Sequence, residues 1–185
     1  MSSYSDGVFY QANTRVNPFI VSSVSDLAPG VSIDFGCGMG TNSRFLKSRE
    51  WDTYVVEQED IPISRLRQFL SPDRIFHEDI RRLDFGILPK ADLVLCNYVL
   101  QHFSIEEAHA FINNLRKCTS GTAAAVISIF ERPGTIDSAQ LKKFMGDIGF
   151  RLVNEKHWER IDRDHGPVHT HVGYEGLWTE CCPQL

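Results

Sequence analysis

Short, largely apolar runs separate amphipathic stretches along most of the chain, beginning near residue 31. Runs that stay apolar at consecutive positions are typical of parallel strands covered on both faces. The expected strands are Val31–Phe35, Thr53–Val56, Arg74–His77, Ala91–Cys96, Ala123–Phe130 and two late ones near Phe150–His157 and Val168–Trp178. Because strand and helix alternate, we expect an α/β fold. Helices would cover both faces of a mostly parallel sheet with an antiparallel C-terminal strand.

Apolar residues recur at helical spacing between these strands. The clearest helix begins at Ser104, which forms a capping-box pattern with Glu107 ahead of an apolar stripe, Ala108, Phe111, Ile112 and Leu115. Gly121 is expected to stop that helix, and Gly149 to cap the following one. The other predicted helices are Thr41–Lys47, Ile61–Leu70 and Ile136–Ile148.

Length and composition favour one domain spanning residues 1–185, without repeats or linkers. The net charge of −5 argues against a nucleic-acid partner, which requires a basic face. No apolar run is long enough to span a bilayer, and the N-terminus lacks the features of a signal peptide. The five cysteines have neither metal-binding nor disulfide spacing. These features predict a cytoplasmic protein without a membrane partner; no oligomeric state follows from them.

The segment SIDFGCGMGTNSRFL, residues 32–46, joins a strand to a helix through three closely spaced glycines. Gly36, Gly38 and Gly40 would let the backbone turn tightly and approach a ligand, and the following helix presents free N–H groups. Such a loop, at the carboxyl end of a strand, borders the ligand crevice of an α/β sheet. A dinucleotide fingerprint would have its third glycine where Thr41 stands, so the spacing departs from that fingerprint.

Asp34 completes a D-x-G-x-G-x-G pattern that resembles motif I of class I methyltransferases, which use S-adenosylmethionine (SAM). The resemblance covers nearly the whole chain and implies a Rossmann-like fold with SAM as cofactor. Asp34 would bind the cofactor amino group or the loop, and Glu57 both ribose hydroxyls. Asp79 would accept a hydrogen bond from the adenine amino group, with Ile80 against the ring. The other implied cofactor residues are Gly36, Cys37, Gly38, Gly40, Asn42, Gln58 and Asn97.

Both ends of the chain resemble the tellurite-resistance (TehB-type) methyltransferases. YQANTR, residues 10–15, resembles the N-terminal segment of that family, so residues 1–28 would cap the cofactor. Arg15 would pair with the cofactor carboxylate or an anionic substrate, the alternative being a solvated surface arginine. The Asn42-Ser43 pair and the late stretch ERIDRDHGPVHTH also match. Because Met39 stands where the family has asparagine, the resemblance implies the fold and the cofactor rather than a tellurium substrate.

Methyl transfer from a sulfonium requires an acceptor held in line at about 3 Å more than it requires a strong base. Tyr98 and His102 follow the fourth strand, where they would face the methyl group. His102 would accept a proton near neutral pH, the alternative being a packed core histidine. His169 and His171 share one face of a strand and would line the acceptor pocket. We expect these four residues to be catalytic.

A metal ion is an alternative for the late histidines, since His165 or Asp164 would complete a ligand set with His169 and His171. We expect no metal, because the chain supplies no obvious closed set of ligands. The favoured function is therefore SAM-dependent methylation of a small-molecule acceptor. A macromolecular acceptor, or a SAM-binding regulatory or scaffold protein without turnover, is the alternative.

Overall fold

A computed structural model describes residues 15–162 and 168–181 of the chain. The strands within these ranges are β1 (Val31–Phe35), β2 (Asp52–Glu57), β3 (Ile75–His77), β4 (Ala91–Asn97), β5 (Thr119–Glu131), β6 (Phe150–Asp162) and β7 (His169–Glu180). They form one sheet in the order β3-β2-β1-β4-β5-β7-β6. β7 runs antiparallel to β5 and β6, and the other pairings are parallel. The predicted α/β fold with an antiparallel C-terminal strand is confirmed.

The helices of the described residues are α1 (Pro18–Val24), α2 (Thr41–Ser48), α3 (Asp60–Leu66), α4 (Ile105–Leu115) and α5 (Ser138–Asp147). Short 3-10 turns occupy Pro72–Arg74, Phe85–Ile87 and Leu100–His102. In the part of the chain that the structure describes, no helix has the length and apolar character needed to cross a membrane.

Each face of the sheet buries its own apolar clusters, because side chains alternate along a strand. On one face, the Phe35 ring of β1 packs against Phe85 and Phe111, with centroids 5.1 and 5.2 Å apart. α4 and α5 complete that cluster. On the other face, Leu93 and Leu95 of β4 pack against α1 and α2. With both faces covered, the loops at the carboxyl edge of the sheet surround the crevice that is open to a ligand.

Helix α4 begins with the capping box that the sequence predicts. The Ser104 hydroxyl accepts a hydrogen bond from Glu107 N at 3.2 Å, and Glu107 Oε2 accepts one from Ser104 N at 2.8 Å. Two N–H groups that the first turn would leave unpaired are thereby satisfied. At the end of α5, Gly149 has a φ of 85°, as expected for the glycine that follows a helix.

Several predicted boundaries are wrong for local reasons. α3 ends at Leu66 rather than Leu70, because Gln68 N and Phe69 N bond back to carbonyls only three residues earlier. Gly121 does not stop α4; it lies inside β5, where the pairing with β4 shifts register. α1 lies in the segment to which the apolar pattern assigned no helix, and the Asn17 side chain caps its first turn.

The late strands are longer than predicted. β5, β6 and β7 contain 13, 13 and 12 residues. β7 pairs with β5 as far as Glu131 and with β6 as far as Asp162. Backbone pairing thus continues beyond the apolar core into polar sequence, where hydropathy gives no strand signal. The extension brings polar and aromatic side chains of all three strands to the carboxyl edge of the sheet.

Removing the α4 cap tests this account of the fold. We expect Ser104→Ala to lower the free energy of unfolding by about 1 kcal/mol, because one side-chain acceptor of the first turn is lost. Chemical denaturation measures the change. Ser120→Ala, at an exposed serine, is the matched control and should change stability by less than about 0.5 kcal/mol. Equal stability of both variants would contradict the capping role.

Candidate active site

A cavity of about 1060 Å³ lies at the carboxyl edge of the parallel strands. Small-molecule sites commonly measure roughly 300–1,000 Å³, so this cavity has room for a cofactor and an acceptor. Nearly all the residues predicted for either ligand line it, namely Arg15, Asp34, Gly36, Cys37, Gly38, Asn42, Glu57, Gln58, Asp79, Ile80, Asn97, Tyr98, His102, His169 and His171.

The turn after β1 depends on glycine at two positions. Gly36 has a φ of 64°, and a Cβ atom there would lie 2.5 Å from the Val99 side chain. Gly40 has a φ of 75°, and its Cβ would lie 2.6 Å from Leu66 of α3. Gly40 is not among the described residues that line the cavity. Its predicted cofactor contact stays a prediction, and its missing side chain lets the loop approach α3.

Glu57 ends β2, and its side chain is buried. Oε2 accepts a hydrogen bond from Gly38 N at 2.8 Å, and Oε1 accepts from Gln58 N at 2.8 Å and Glu59 N at 3.0 Å. Burial raises the pKa of the Glu57 carboxyl above its usual value, and the three N–H groups oppose the rise. Since a carboxylate has about four acceptor sites, one on Oε2 remains for a ligand hydroxyl.

Asp34 lies on β1 behind the glycine loop and is 1% exposed. Its Oδ2 accepts a hydrogen bond from Ser43 Oγ at 2.6 Å. Burial raises the pKa of this carboxyl to about 7; the Ser43 bond lowers it, and the nearby charge of Glu57 raises it further. Asp34 therefore changes charge near neutral pH, and a cation bound beside it would favour the ionised form.

Asp79 follows β3 and is held by Arg81. Arg81 Nε donates to Oδ1 at 2.9 Å, and Nη2 donates to Oδ2 at 2.6 Å. The bonds from Arg81 lower the pKa of the Asp79 carboxyl, so it is ionised at neutral pH. Ile80 is buried beside it, and Glu78 also lines the cavity. An acceptor and an apolar side chain are thus adjacent, as binding of an adenine ring requires.

Three aromatic rings line the opposite part of the cavity. The Tyr98 and Phe130 rings stack with centroids 4.5 Å apart, and Trp158 meets them edge-on at 6.3 and 5.6 Å. Tyr98 has a φ of 57°, which residues other than glycine rarely adopt. Tyr98 N donates to the Ser128 carbonyl at 2.8 Å, which continues the pairing of β4 with β5, and the chain turns away from the sheet at Tyr98.

A partly buried polar network, absent from the sequence predictions, links distant parts of the chain. The Asn17 side-chain NH₂ donates to Asn97 Oδ1 at 2.9 Å and to Glu175 Oε1 at 2.6 Å. The Tyr98 hydroxyl donates to the same Glu175 oxygen at 3.0 Å. Asn17 N also donates to Asn42 Oδ1 at 3.3 Å in the glycine loop's helix. Asn17 thereby joins α1, the cofactor loop and the late strands.

His102 lies in the turn after β4, beside Gln101. Burial, and then the charge of Arg132, lower the pKa of the His102 imidazole, so it is neutral at pH 7. Gln101 Nε2 donates to the Tyr98 carbonyl at 2.7 Å and lies 3.4 Å from His102 Nε2. Gln101 Oε1 is buried without a hydrogen-bond partner. The pair thus places a neutral imidazole at the cavity wall.

His169 and His171 share one face of β7, as predicted, with Nε2 atoms 3.1 Å apart. Both line the cavity, and the His171 ring lies 5.2 Å from Phe130. No group of three or more potential metal ligands occurs within residues 15–162 and 168–181. His165 and Asp164, the remaining members of the alternative metal set, lie outside the described residues.

Comparison with known proteins identifies this architecture. Residues 33–122, from β1 into β5, match a family model described as a methyltransferase domain. This part of the chain is similar to methyltransferase domains. The predicted class, a SAM-dependent methyltransferase, and its cofactor are confirmed by this match together with the fold. No curated protein matches the chain significantly in sequence.

Solved methyltransferases share the fold at low identity. Magnesium protoporphyrin IX methyltransferase from Synechocystis, with bound SAM, is 22% identical at a TM-score of 0.66, over 88% of this chain and 76% of that one. NodS from Bradyrhizobium japonicum, an N-methyltransferase with bound S-adenosylhomocysteine, is 15% identical at a TM-score of 0.70, over 95% of this chain and 87% of that one. TehB from Haemophilus influenzae is 16% identical at 0.76, over 91% of this chain and 63% of that one. At these identities the likeness is one of fold.

The side chains of the methyltransferase site fit SAM. The buried acids Asp34 and Glu57 line the cavity, where they would face the sulfonium and ammonium groups of SAM, and Ile80 would offer an apolar contact. Sequence reasoning missed Asn17, whose signal was its place before Pro18 at a helix start. It also missed Glu175, an acid within the apolar VGYEGLW strand.

The raised pKa of Asp34 predicts pH-dependent cofactor binding. Below about pH 7 the free carboxyl is protonated, and the SAM ammonium favours the ionised form. We therefore expect SAM affinity to rise with pH from 5.5 toward about 7, by at most about tenfold per unit, and then to level off. Calorimetry should also detect proton release on binding.

Asp34→Asn should abolish this pH dependence. Asp84→Asn is the matched control: Asp84 is exposed, and an asparagine there still caps the turn at Phe85–Ile87. The same pH slope in Asp34→Asn as in the parent would contradict the assignment of Asp34 to the cofactor amino group.

Asp79 is predicted to bind the adenine amino group. Asp79→Asn should weaken SAM binding by about 1.5–3 kcal/mol, because a charged acceptor is lost. Arg81→Gln breaks the Asp79–Arg81 pair but keeps the carboxylate, and should change the affinity less. Calorimetry on both variants separates the two effects. Unchanged affinity in Asp79→Asn, with a drop in Glu78→Gln, would move the role to Glu78.

Proposed function

We propose that this methyltransferase acts on a small molecule bound in the cavity beside SAM. The observation that carries the proposal is the cavity itself, which continues from Glu57 to the aromatic wall of Tyr98, Phe130 and Trp158. The magnesium protoporphyrin IX methyltransferase, which shares the fold, supports an acceptor of this kind. The cytoplasmic location and the absence of a nucleic-acid partner stay predictions.

The cofactor half of the site would work through hydrogen bonds and charge. Glu57 accepts a hydrogen bond from a ribose hydroxyl at its remaining acceptor site. Asp79 accepts a hydrogen bond from the adenine amino group. Asp34 faces the cofactor ammonium and Arg15 the carboxylate, since a guanidinium pairs with a carboxylate through two bonds. Cys37, Gln58, Asn42 and Asn97 complete the wall. Burial, together with the charges of Asp34 and Glu57, raises the pKa of Cys37 well above its usual value, so it stays a neutral thiol.

The acceptor half would position the nucleophile. SAM supplies an activated methyl group on a sulfonium, so the protein must hold the acceptor in line and exclude water. Neutral His102 takes a proton from an acceptor that carries one at pH 7. Burial and Glu175 raise the pKa of Tyr98 far above neutrality, so its hydroxyl donates a hydrogen bond and is not a base. His169 and His171 orient the acceptor.

Formation of S-adenosylhomocysteine from SAM tests the proposed function. The enzyme should release it in the presence of a suitable small acceptor from a panel of amines, thiols, phenols and carboxylic acids. SAM binding without product formation on the whole panel, combined with methylation of a protein or nucleic-acid fraction, would contradict a small-molecule acceptor. SAM binding with no turnover on either class would instead support a regulatory role.

The late histidines should affect turnover rather than cofactor binding. We expect His169→Ala and His171→Ala to lower kcat/KM for the acceptor by about fivefold to tenfold, the loss of one hydrogen bond each, with SAM affinity nearly unchanged. His157→Ala is the matched control, because His157 packs on Tyr174 and is not among the described cavity residues. A chelator should leave turnover intact. Parent turnover in both variants would move the acceptor site toward Tyr98 and His102.

A further inference from the structure

The cavity is divided by charge. The cofactor half is lined by more acids than cations: the cations are Arg15 and Arg81, and the acids are Asp34, Glu57, Glu59, Glu78 and Asp79. The half formed by the late strands is lined by the cationic residues Arg132, Lys156 and Arg160, and by His169 and His171. Among the described residues of that half, Glu175 is the one acid. A chain with a net charge of −5 thus concentrates positive charge at the acceptor end.

Each of the three cations lies near, or shifts the pKa of, a residue that lines the acceptor half. The Arg132 guanidinium lies 5.7 Å from the Phe130 ring centroid, and, after burial, its charge is the next cause of the lowered His102 pKa. Burial and Glu175 raise the pKa of Tyr98, and the charge of Arg160 opposes them. Lys156 Nζ lies 3.9 Å from Glu175 Oε2. The positive charges therefore lie around Tyr98, Phe130 and Glu175.

Glu175 does not favour a cationic ligand, because its charge is already compensated. One carboxylate oxygen accepts hydrogen bonds from Asn17 and Tyr98, and Lys156 faces the other. The side chain is 3% exposed, so little of it meets a ligand. It serves the site by holding the Tyr98 ring. The acceptor half therefore presents a net positive charge and a flat apolar surface.

We propose that the acceptor is a planar organic anion. Its ring packs against the aromatic wall of Tyr98, Phe130 and Trp158, and its carboxylate or phosphate faces Arg132, Lys156 and Arg160. Ring stacking favours flat acceptors, and paired cations favour an oxyanion over a neutral group. The inference rests on the proposed function and names the substrate class of the same site.

Binding of matched probes tests the proposal independently of turnover. With S-adenosylhomocysteine present, calorimetry should show 2-naphthoate binding at least about tenfold tighter than 2-naphthamide, because only the acid carries a charge. Cyclohexanecarboxylate should bind more weakly than 2-naphthoate. 2-Naphthyl phosphate distinguishes the two anions: tighter binding than 2-naphthoate assigns a phosphate, and weaker binding a carboxylate.

Charge-removing variants locate the effect. Arg160→Gln and Lys156→Gln should each reduce the preference for 2-naphthoate over 2-naphthamide severalfold. Lys143→Gln is the matched control, because Lys143 pairs with Asp147 on the exposed face of α5 and is not among the described residues that line the cavity. The same preference in all three variants would overturn the assignment of the cations.

Other outcomes would overturn the substrate class itself. Equal affinity for acid and amide, tighter binding of 2-naphthylmethylamine, or no binding by any probe would each do so. The proposed function is judged separately, by SAM binding and S-adenosylhomocysteine formation. An enzyme that methylates a neutral or cationic small molecule would retain the proposed function and contradict this inference.

Discussion

The site depends on one buried carboxylate. Glu57 ends β2, and its two oxygens accept hydrogen bonds from the backbone N–H groups of Gly38, Gln58 and Glu59. A buried charge without such partners would be costly, so the three bonds make its position possible. The bond to Gly38 crosses from β2 to the loop after β1, which fixes the turn where the cofactor approaches. The left-handed glycines permit that turn, and Glu57 holds it.

A second constraint comes from the antiparallel end of the sheet. β5, β7 and β6 remain paired beyond the core, so their ends form a wall over the carboxyl edge of the parallel strands. That wall supplies aromatic and cationic side chains, whereas the parallel strands supply acids. Glu175 and Asn17 connect the two parts through partly buried hydrogen bonds. The acceptor side is thereby attached to the cofactor side.

The cofactor half was predictable from the sequence because its signals are local. Asp34, the glycine loop and Glu57 lie within one strand–turn–helix–strand unit, and each is marked by its position at a strand end. At Gly40 the motif implied a ligand contact, which stays a prediction. No spacing rule describes the close approach of Gly40 to α3 that the structure shows.

The acceptor half was less predictable because its contacts join residues far apart in sequence. Asn17 bonds to a residue 80 positions away and to another 158 positions away. The lengths of β6 and β7 are set by backbone pairing, and hydropathy gives no signal of that pairing. The shared face of His169 and His171 could be predicted, since the two-residue period of a strand is local. The residues of β6 that lie next to these histidines could not be predicted in this way.

The role of Glu57 is tested most directly by calorimetric titration of SAM into Glu57→Gln. The amide has one acceptor oxygen and presents an NH₂ group to backbone N–H donors, so both the loop and the ribose contact should be impaired. We expect SAM binding at least about thirtyfold weaker than in the parent, consistent with the loss of bonds to a charged group. Parent affinity in a variant that folds normally would contradict it.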